Sequence, residues 1–306
     1  MKMNQSILNQ FRLSVLEQHL GVYGVSVFQQ GKGNIAHRFR SDDRECLYSA
    51  SKTFTSIAVG ICQDEGRLKI TDKVLDFFPE YREIASPGSE KITLRDLLHM
   101  AAGKDVFLFS VEMTDYPNTD WAELFFKDPV KSKPGETFFY ANACTYMLGR
   151  VVEKVSGELL RNYLMPRLFE PFQIFNPQWE CCPTGHTMAA TGLYLTTEEL
   201  ANIGRLLLQK GYWNDKPLVS EAYVNAMHED IISTAHWGTD HESTNGYGYQ
   251  VWKCAQEGAF RVDGMYGQFS IVVPDKQAVI TTTSHNEHCS NDIVRAVFRD
   301  IVPYLD

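Results

Sequence analysis

No apolar stretch in these 306 residues approaches the length of a membrane-spanning helix, which excludes an ordinary helical membrane protein. Positive charge is also scarce: 29 Lys and Arg stand against 38 Asp and Glu, a net charge of −9. That balance opposes non-specific binding to nucleic acid or to anionic membranes, and no basic cluster interleaved with aromatics offsets it. The seven cysteines (Cys46, Cys62, Cys144, Cys181, Cys182, Cys254 and Cys289) are odd in number and irregularly spaced. They form no disulfide framework and fit reduced thiols, so a cytoplasmic protein is expected. Met1 to Leu20 mixes Gln, Asn, Arg and Glu among its apolar residues, and no signal peptide is expected there. His285, His288 and Cys289 have the residue types of a metal site but neither standard spacing nor a second pair, so no metal is expected. There is no repeat, low-complexity tract or linker, and nothing in the sequence bears on oligomeric state.

What is present is a change of periodicity along the chain. Ile7, Phe11, Val15 and Leu16 recur at roughly helical spacing over residues 4–20. Val22 to Phe28 and Ile35 to Phe39 are β-type runs around Gly31-Lys32-Gly33-Asn34, the pattern of a hairpin. Phe54, Ile57, Ala58 and Ile61 then predict a helix from Ser51 to Glu65, with Gly66 as its stop. Leu94–Met100, Ala143–Val155, Thr197–Gln209 and Ser220–His228 also read as helices, and Trp121 to Phe126 as helix core or as the rim of a substrate mouth. Tyr247–Lys253, Ala259–Val262, Phe269–Val273 and Ala278–Thr283 return to short β-type runs, and a helix from Asn291 to Val302 follows. The expected fold class is α+β: an antiparallel sheet built from both termini and flanked by helices, with a mostly helical lobe inserted. Residues 1–65 and 240–306 would form the sheet lobe and 66–239 the helical lobe, with a cleft between them.

Ser49 and Lys52 are three residues apart at the start of the second helix, so the ammonium can sit beside the hydroxyl. A hydroxyl needs a base at neutral pH, and a desolvated lysine can supply one. A Ser-x-x-Lys alone is a weak signal, because a capping serine and a solvated lysine give the same pattern. Tyr140-Ala141-Asn142 is the second candidate. Tyr-x-Asn also occurs at Tyr116, Tyr212 and Tyr223, but only Tyr140 follows a Pro134-Gly135 turn and leads into a helix. Tyr223 is expected to be an ordinary mid-helix tyrosine, and Tyr116 and Tyr212 loop residues.

Ser-x-x-Lys at Ser49, Tyr-x-Asn at Tyr140 and a glycine-bearing strand at Gly264 occur in the order that resembles the serine β-lactamase and penicillin-binding-protein superfamily. Leu47-Tyr48-Ser49-Ala50-Ser51-Lys52-Thr53-Phe54-Thr55 looks like the family's nucleophile segment. Leu97-Leu98-His99-Met100-Ala101-Ala102-Gly103 resembles its Leu-Leu-x-His-x-Ser-Gly segment, with Met100 and Ala102 where His and Ser are usual. Gly192 to Leu200 and Asn245-Gly246-Tyr247-Gly248-Tyr249 are similar to two further segments, so the likeness runs from about Val22 to Val302. A Tyr in the second motif points to the class C β-lactamase, DD-peptidase and esterase branch.

The resemblance implies a β-lactamase/transpeptidase-like fold and a serine hydrolase that acts on a small amide or ester without metal or cofactor. It assigns Ser49 as nucleophile, Lys52 and Tyr140 as proton carriers, and Asn142 to the substrate amide or to Lys52. The backbone N–H groups of Ser49 and Met265 would form the oxyanion hole. The third motif departs from the family's Lys-Thr-Gly or His-x-Gly: Val262-Asp263-Gly264 has no cation at Val262. Good β-lactam turnover is therefore not expected, and Asp263 would disfavour anionic substrates. An esterase or peptidase without β-lactamase activity, and a catalytically silent relative, stay open.

Overall fold

A computed structural model describes residues 3–105, 108 and 118–306 of the chain; Tyr116 lies outside the described residues. After a single 3-10 turn, helix α1 (Asn9–Glu17) buries Phe11 and Val15 and leaves Leu16 exposed. Strands β1 (Val22–Gln29) and β2 (Gly33–Arg38) form the expected hairpin, in register from Gly24 opposite Arg38 to Gln29 opposite Gly33. A two-residue strand β3 (Glu45–Cys46) leads to helix α2 (Ser51–Asp64). Four helices follow: α3 (Leu94–Leu98), α4 (Trp121–Lys127), α5 (Asn142–Ser156) and α6 (Leu160–Leu164). In α4, Trp121, Ala122, Phe125 and Phe126 are core residues.

Short strands β4 (Gln178–Trp179) and β5 (Leu193–Leu195) join β3 in a small antiparallel sheet, with β5 in the middle. Helix α7 (Thr197–Leu208) starts at a capping box in which Thr196 and Glu199 satisfy each other's backbone N–H. A hairpin of β6 (Tyr212–Trp213) and β7 (Lys216–Pro217) comes next, which places Tyr212 in a strand rather than a loop. Helix α8 (Glu221–Glu229) precedes the terminal strands β8 (Trp252–Lys253), β9 (Phe260–Gly264), β10 (Gln268–Val273) and β11 (Ala278–Ser284), and then α9 (Asn291–Asp300).

The main sheet has the order β2-β1-β11-β10-β9-β8, so strands from the two ends of the chain meet where β1 pairs antiparallel with β11. Strand alternation divides its side chains between two cores. On one face Val25, Val27, Phe269, Ile271 and Ile280 pack with Phe11 of α1 and Ile293, Val294 and Val297 of α9. On the other, Phe28, Val262, Val272 and Val279 join the larger core that includes α2, α5 and α7. α7 lies close against that face: a Cβ on Gly204 would overlap Ser270 Oγ and come within 2.7 Å of Val279 Cγ1. The fold is thus α+β, mixed helix and antiparallel sheet.

Two expected elements are shorter than their sequence pattern. The first, Leu94–Met100, stops at Leu98, and Met100 has a left-handed φ of 56°. The second, Tyr247–Lys253, is a strand only at Trp252 and Lys253, because Gln250 turns the chain with φ 63°. Gln250 is buried for a reason: its amide donates to Leu98 O at 2.7 Å and accepts from Thr145 Oγ1 at 2.6 Å, and its carbonyl accepts from Thr53 Oγ1 at 2.8 Å. One side chain and its carbonyl therefore tie α2, α3 and α5 together.

Candidate active site

Ser49 stands in one tight turn, Tyr48–Ala50, that runs directly into α2. The turn is anchored by Leu47 N–H to Leu193 O at 2.8 Å and by Leu193 N–H to Ser51 Oγ at 3.3 Å, which moor it to β5. Tyr48, just before the nucleophile, has a left-handed φ of 47°, a strained state for a residue with a side chain. Lys52, the second residue of α2, is 1% exposed. Its Nζ lies 2.9 Å from Ser49 Oγ and donates to Ala190 O at 2.9 Å. Burial pulls this ammonium down to about 7, while the negative charge of Asp263 and the Cys144 thiol oppose that shift.

Tyr140 and Asn142 arrive together at the start of α5, both half-buried. Ser49 lies close to the Tyr140 phenol and favours its ionised form, against burial. Its ring centroid is 5.0 Å from Lys52 Nζ and stacks at 5.8 Å on Trp252, with Tyr247 at 6.0 Å and Trp237 at 6.3 Å. Burial drives the Tyr140 phenol far above its ordinary range, so it stays protonated at physiological pH. The two groups are pushed apart: the lysine toward a neutral amine, the tyrosine away from phenolate.

The third candidate segment forms the opposing wall. Gly264, at the end of β9, sits where a Cβ would overlap Leu47 O and lie 3.1 Å from Ala50 N, so only glycine lets the strand close on the nucleophile turn. Met265 follows it, 41% exposed, and Tyr266 has a left-handed φ of 63°. The Tyr266 ring meets Tyr48 edge to face at 5.3 Å and stacks on His285 at 4.3 Å. The residues before Ser49 and after Met265 are both strained, and their rings clasp each other.

Asp263 is an ion-paired strand residue, not a turn-capping one. Arg261, two residues earlier on the same face and 1% exposed, donates from Nε to Asp263 Oδ2 at 2.7 Å. Arg261 also donates to Glu242 O at 3.0 Å and Lys253 O at 3.2 Å, and lies 3.6 Å from Glu242 Oε2. Burial raises the Asp263 carboxyl, opposed by Arg261 and then by Lys52. Val262 points the other way into the core, wholly buried.

The structure brings Ser49, Lys52 and Tyr140 into mutual contact, sets Asn142 two residues beyond Tyr140, and presses Gly264 on the nucleophile turn. Other expectations resolve as follows. His99 is structural: it is buried, with Nε2 2.8 Å from Asp230 O. Tyr223 is buried and donates to Ser56 O at 2.9 Å, against Gly60 of α2, where a Cβ would come 2.5 Å from the ring. His236 is exposed, and its Nε2 lies 2.9 Å from Phe138 O beside the second motif. His285 stacks on Tyr266 and faces Glu287 Oε1 at 3.2 Å. All seven thiols are free.

Sequence reading missed the Ala190 carbonyl and the Arg261–Glu242 support behind Asp263. A backbone carbonyl leaves no trace in sequence. Arg261 did leave one: in a strand, position i−2 shares the face of Asp263.

Comparison with known proteins bears on the fold and the family. A stretch of Protein flp from Staphylococcus aureus (strain MW2) is 27% identical over 131 residues, 42% of this chain but 26% of that protein. The chain thus spans about a quarter of the length of that curated relative. The octameric penicillin-binding protein homologue from Pyrococcus abyssi superposes with a TM-score of 0.76 at 20% identity, over 99% of this chain and 78% of its own. A D-stereospecific amidohydrolase from Streptomyces sp. gives a TM-score of 0.71 at 17% identity, over 97% and 99%. No helix among the described residues is long and apolar enough to cross a membrane. Residues 15–300 match the family described as Beta-lactamase, and with that span covering the main sheet and the helices alike, the chain belongs to the beta-lactamase family.

Proposed function

We propose that this protein is a serine hydrolase that cleaves a small amide or ester through an acyl-enzyme on Ser49. The observation that carries the reading is the 2.9 Å approach of Lys52 Nζ to Ser49 Oγ, by an amine that burial brings to about 7. A near-neutral amine at hydrogen-bond distance is a competent general base. Neutral Lys52 takes the hydroxyl proton as Ser49 Oγ attacks the carbonyl carbon. The N–H groups of Ser49 and Met265 receive the oxyanion. Tyr140 passes its proton to the leaving nitrogen or oxygen and regains one from the Lys52 ammonium, and water then releases the acyl group by the reverse path. Asn142 orients the substrate amide, since Lys52 is already engaged by Ala190.

Val262 and Asp263 support an esterase or peptidase over a β-lactamase. The cleft wall that would receive a substrate carboxylate offers a half-buried acid, and Arg261 is turned to that acid and to backbone carbonyls. Anionic substrates such as penicillins are disfavoured there. Seven free thiols support a cytoplasmic setting.

Intact mass after incubation with a penicillin, a fluorophosphonate and a p-nitrophenyl ester tests this. The expected result is a fluorophosphonate adduct on Ser49 and ester turnover, with little or no penicillin adduct. No adduct with any of the three, together with ester turnover equal to that of Ser49→Ala, would instead assign a silent relative.

A further inference from the structure

Helix α7 ends on a cation without a counter-charge. The Arg205 guanidinium lies between two aromatic faces, 4.5 Å from the Phe28 ring centroid and 4.8 Å from that of Trp213. Among the described residues no carboxylate comes within ion-pair distance of it. Its hydrogen bond is a long one, Nη1 to Asn202 Oδ1 at 3.4 Å, and its Nε is buried without an acceptor. Cation–π contact with two rings offsets part of the desolvation cost but leaves the in-plane N–H donors unused. Burial accordingly lowers the pKa of this arginine, with no acidic group opposing it.

Two cavities meet at this side chain. One, of about 490 Å³, is lined by Gln30, Gln209, Tyr212, Asn214, Asp215 and Gln277 besides Arg205. The other, about 400 Å³, reaches Ser26, Asn34 and Thr196 under the β1–β2 hairpin. Two of the acids nearby are ion-paired. Glu199 is held by Arg44 at 2.6 Å and by the Thr196 cap, and Glu198 by Arg38 at 2.9 Å. Asp215 faces the first cavity without reaching Arg205. The first cavity is thus walled by four side-chain amides, Tyr212, Leu208 and one acid, Asp215, around a guanidinium that contacts the rings of Phe28 and Trp213.

We propose that this cavity binds a small oxyanion, the carboxylate or phosphate group of a metabolite, through the guanidinium edge of Arg205 and the side-chain amides around it. An oxyanion there supplies the acceptors the guanidinium lacks, in the bidentate geometry arginine favours. None of these residues belongs to the Ser49 cleft, so the site is accessory and stands or falls apart from the hydrolase reading.

Trp213 reports on it directly, because its indole stacks on the same guanidinium. Inorganic phosphate and acetate are titrated separately at constant ionic strength, following tryptophan fluorescence and Tm, with Trp213→Phe identifying the responding indole. The expected result is a saturable change with at least one anion at millimolar Kd, on the order of 0.1–10 mM, and a rise in Tm. Arg205→Gln should weaken it at least tenfold, and Asn214→Ala about threefold, while ester turnover is unchanged. The Asn214 variant keeps the test alive if Arg205→Gln does not fold. A stronger response to phosphate assigns a phosphoryl ligand, and to acetate a carboxylate. No saturable response up to about 50 mM of either anion, or an undiminished one in both variants, overturns the proposal.

Discussion

The two walls of the Ser49 cleft control charge by opposite means. On the helical wall, no salt bridge among the described residues reaches Lys52, and desolvation is the largest cause that drives Lys52 down and Tyr140 up. On the strand wall, Arg261 is buried as deeply as Lys52 but is matched by Asp263 and Glu242 and keeps its charge. A buried cation becomes a base when it is left without an anion and a fixed charge when it is given one. The same depth of burial therefore yields a reactive group on one side and a structural one on the other. The Asp263 charge, felt at Lys52, couples the two.

Several substitutions break or sharpen that contrast. The largest effect is expected on the helical wall: Lys52→Ala or Tyr140→Phe lowers the acylation rate about 10²–10⁴-fold with the fold retained, read by stopped-flow ester acylation and circular dichroism. Wild-type rates in either would contradict the proton path. Next comes the seam between the walls. Gly264→Ala forces a methyl group onto Leu47 O and should cost about 1–3 kcal/mol by urea denaturation, along with most of the activity. A neutral outcome would mean that β9 does not close on the nucleophile turn.

A subtler change tests the coupling. With Lys52 near 7, activity should rise with pH through about 7 as the amine loses its proton. Asp263 favours the ammonium, so Asp263→Asn should lower the Lys52 pKa and move that limb to lower pH. The same variant leaves Arg261 with Glu242 as its remaining carboxylate partner and should cost roughly 1–3 kcal/mol of stability. A limb that stays put, or moves up, refutes electrostatic communication across the cleft. The smallest effect belongs to the aromatic clasp. Tyr266→Gly relieves a left-handed residue but removes the ring contact with Tyr48, so stability should change by less than about 1 kcal/mol. Ester kcat should fall with KM nearly unchanged; equal kcat would reduce the clasp to packing.

The long amphipathic helices and the hairpin were legible because their periods extend over many residues. α2 carries its apolar positions over 14 residues, and β1 alternates over eight. The small sheet of β3, β4 and β5 was not, since strands of two or three residues have no period to read. The strand around Tyr247–Lys253 was overread because nothing in its composition announces the left-handed turn at Gln250. At the site, Ser49, Lys52 and Tyr140 were legible as residue types in order. What escaped was the supporting layer, the Ala190 carbonyl and the Arg261–Glu242 brace, which depends on tertiary placement.

The pairing of β1 with β11 also sets the order of events during synthesis. Val27 lies opposite Ile280, a partner more than two hundred residues downstream, so the centre of the main sheet can zip only after β11 has left the ribosome. The Ser49 turn is held against Gly264, and that packing exists only once the late segment has docked. A nascent chain released before β9 should therefore carry Ser49 and Lys52 on a formed or forming helix yet fail to take up a fluorophosphonate, while the released full-length chain labels. The closed packing around Ser49 is thus assembled last, while the hydrophobic surfaces of the growing chain are still exposed.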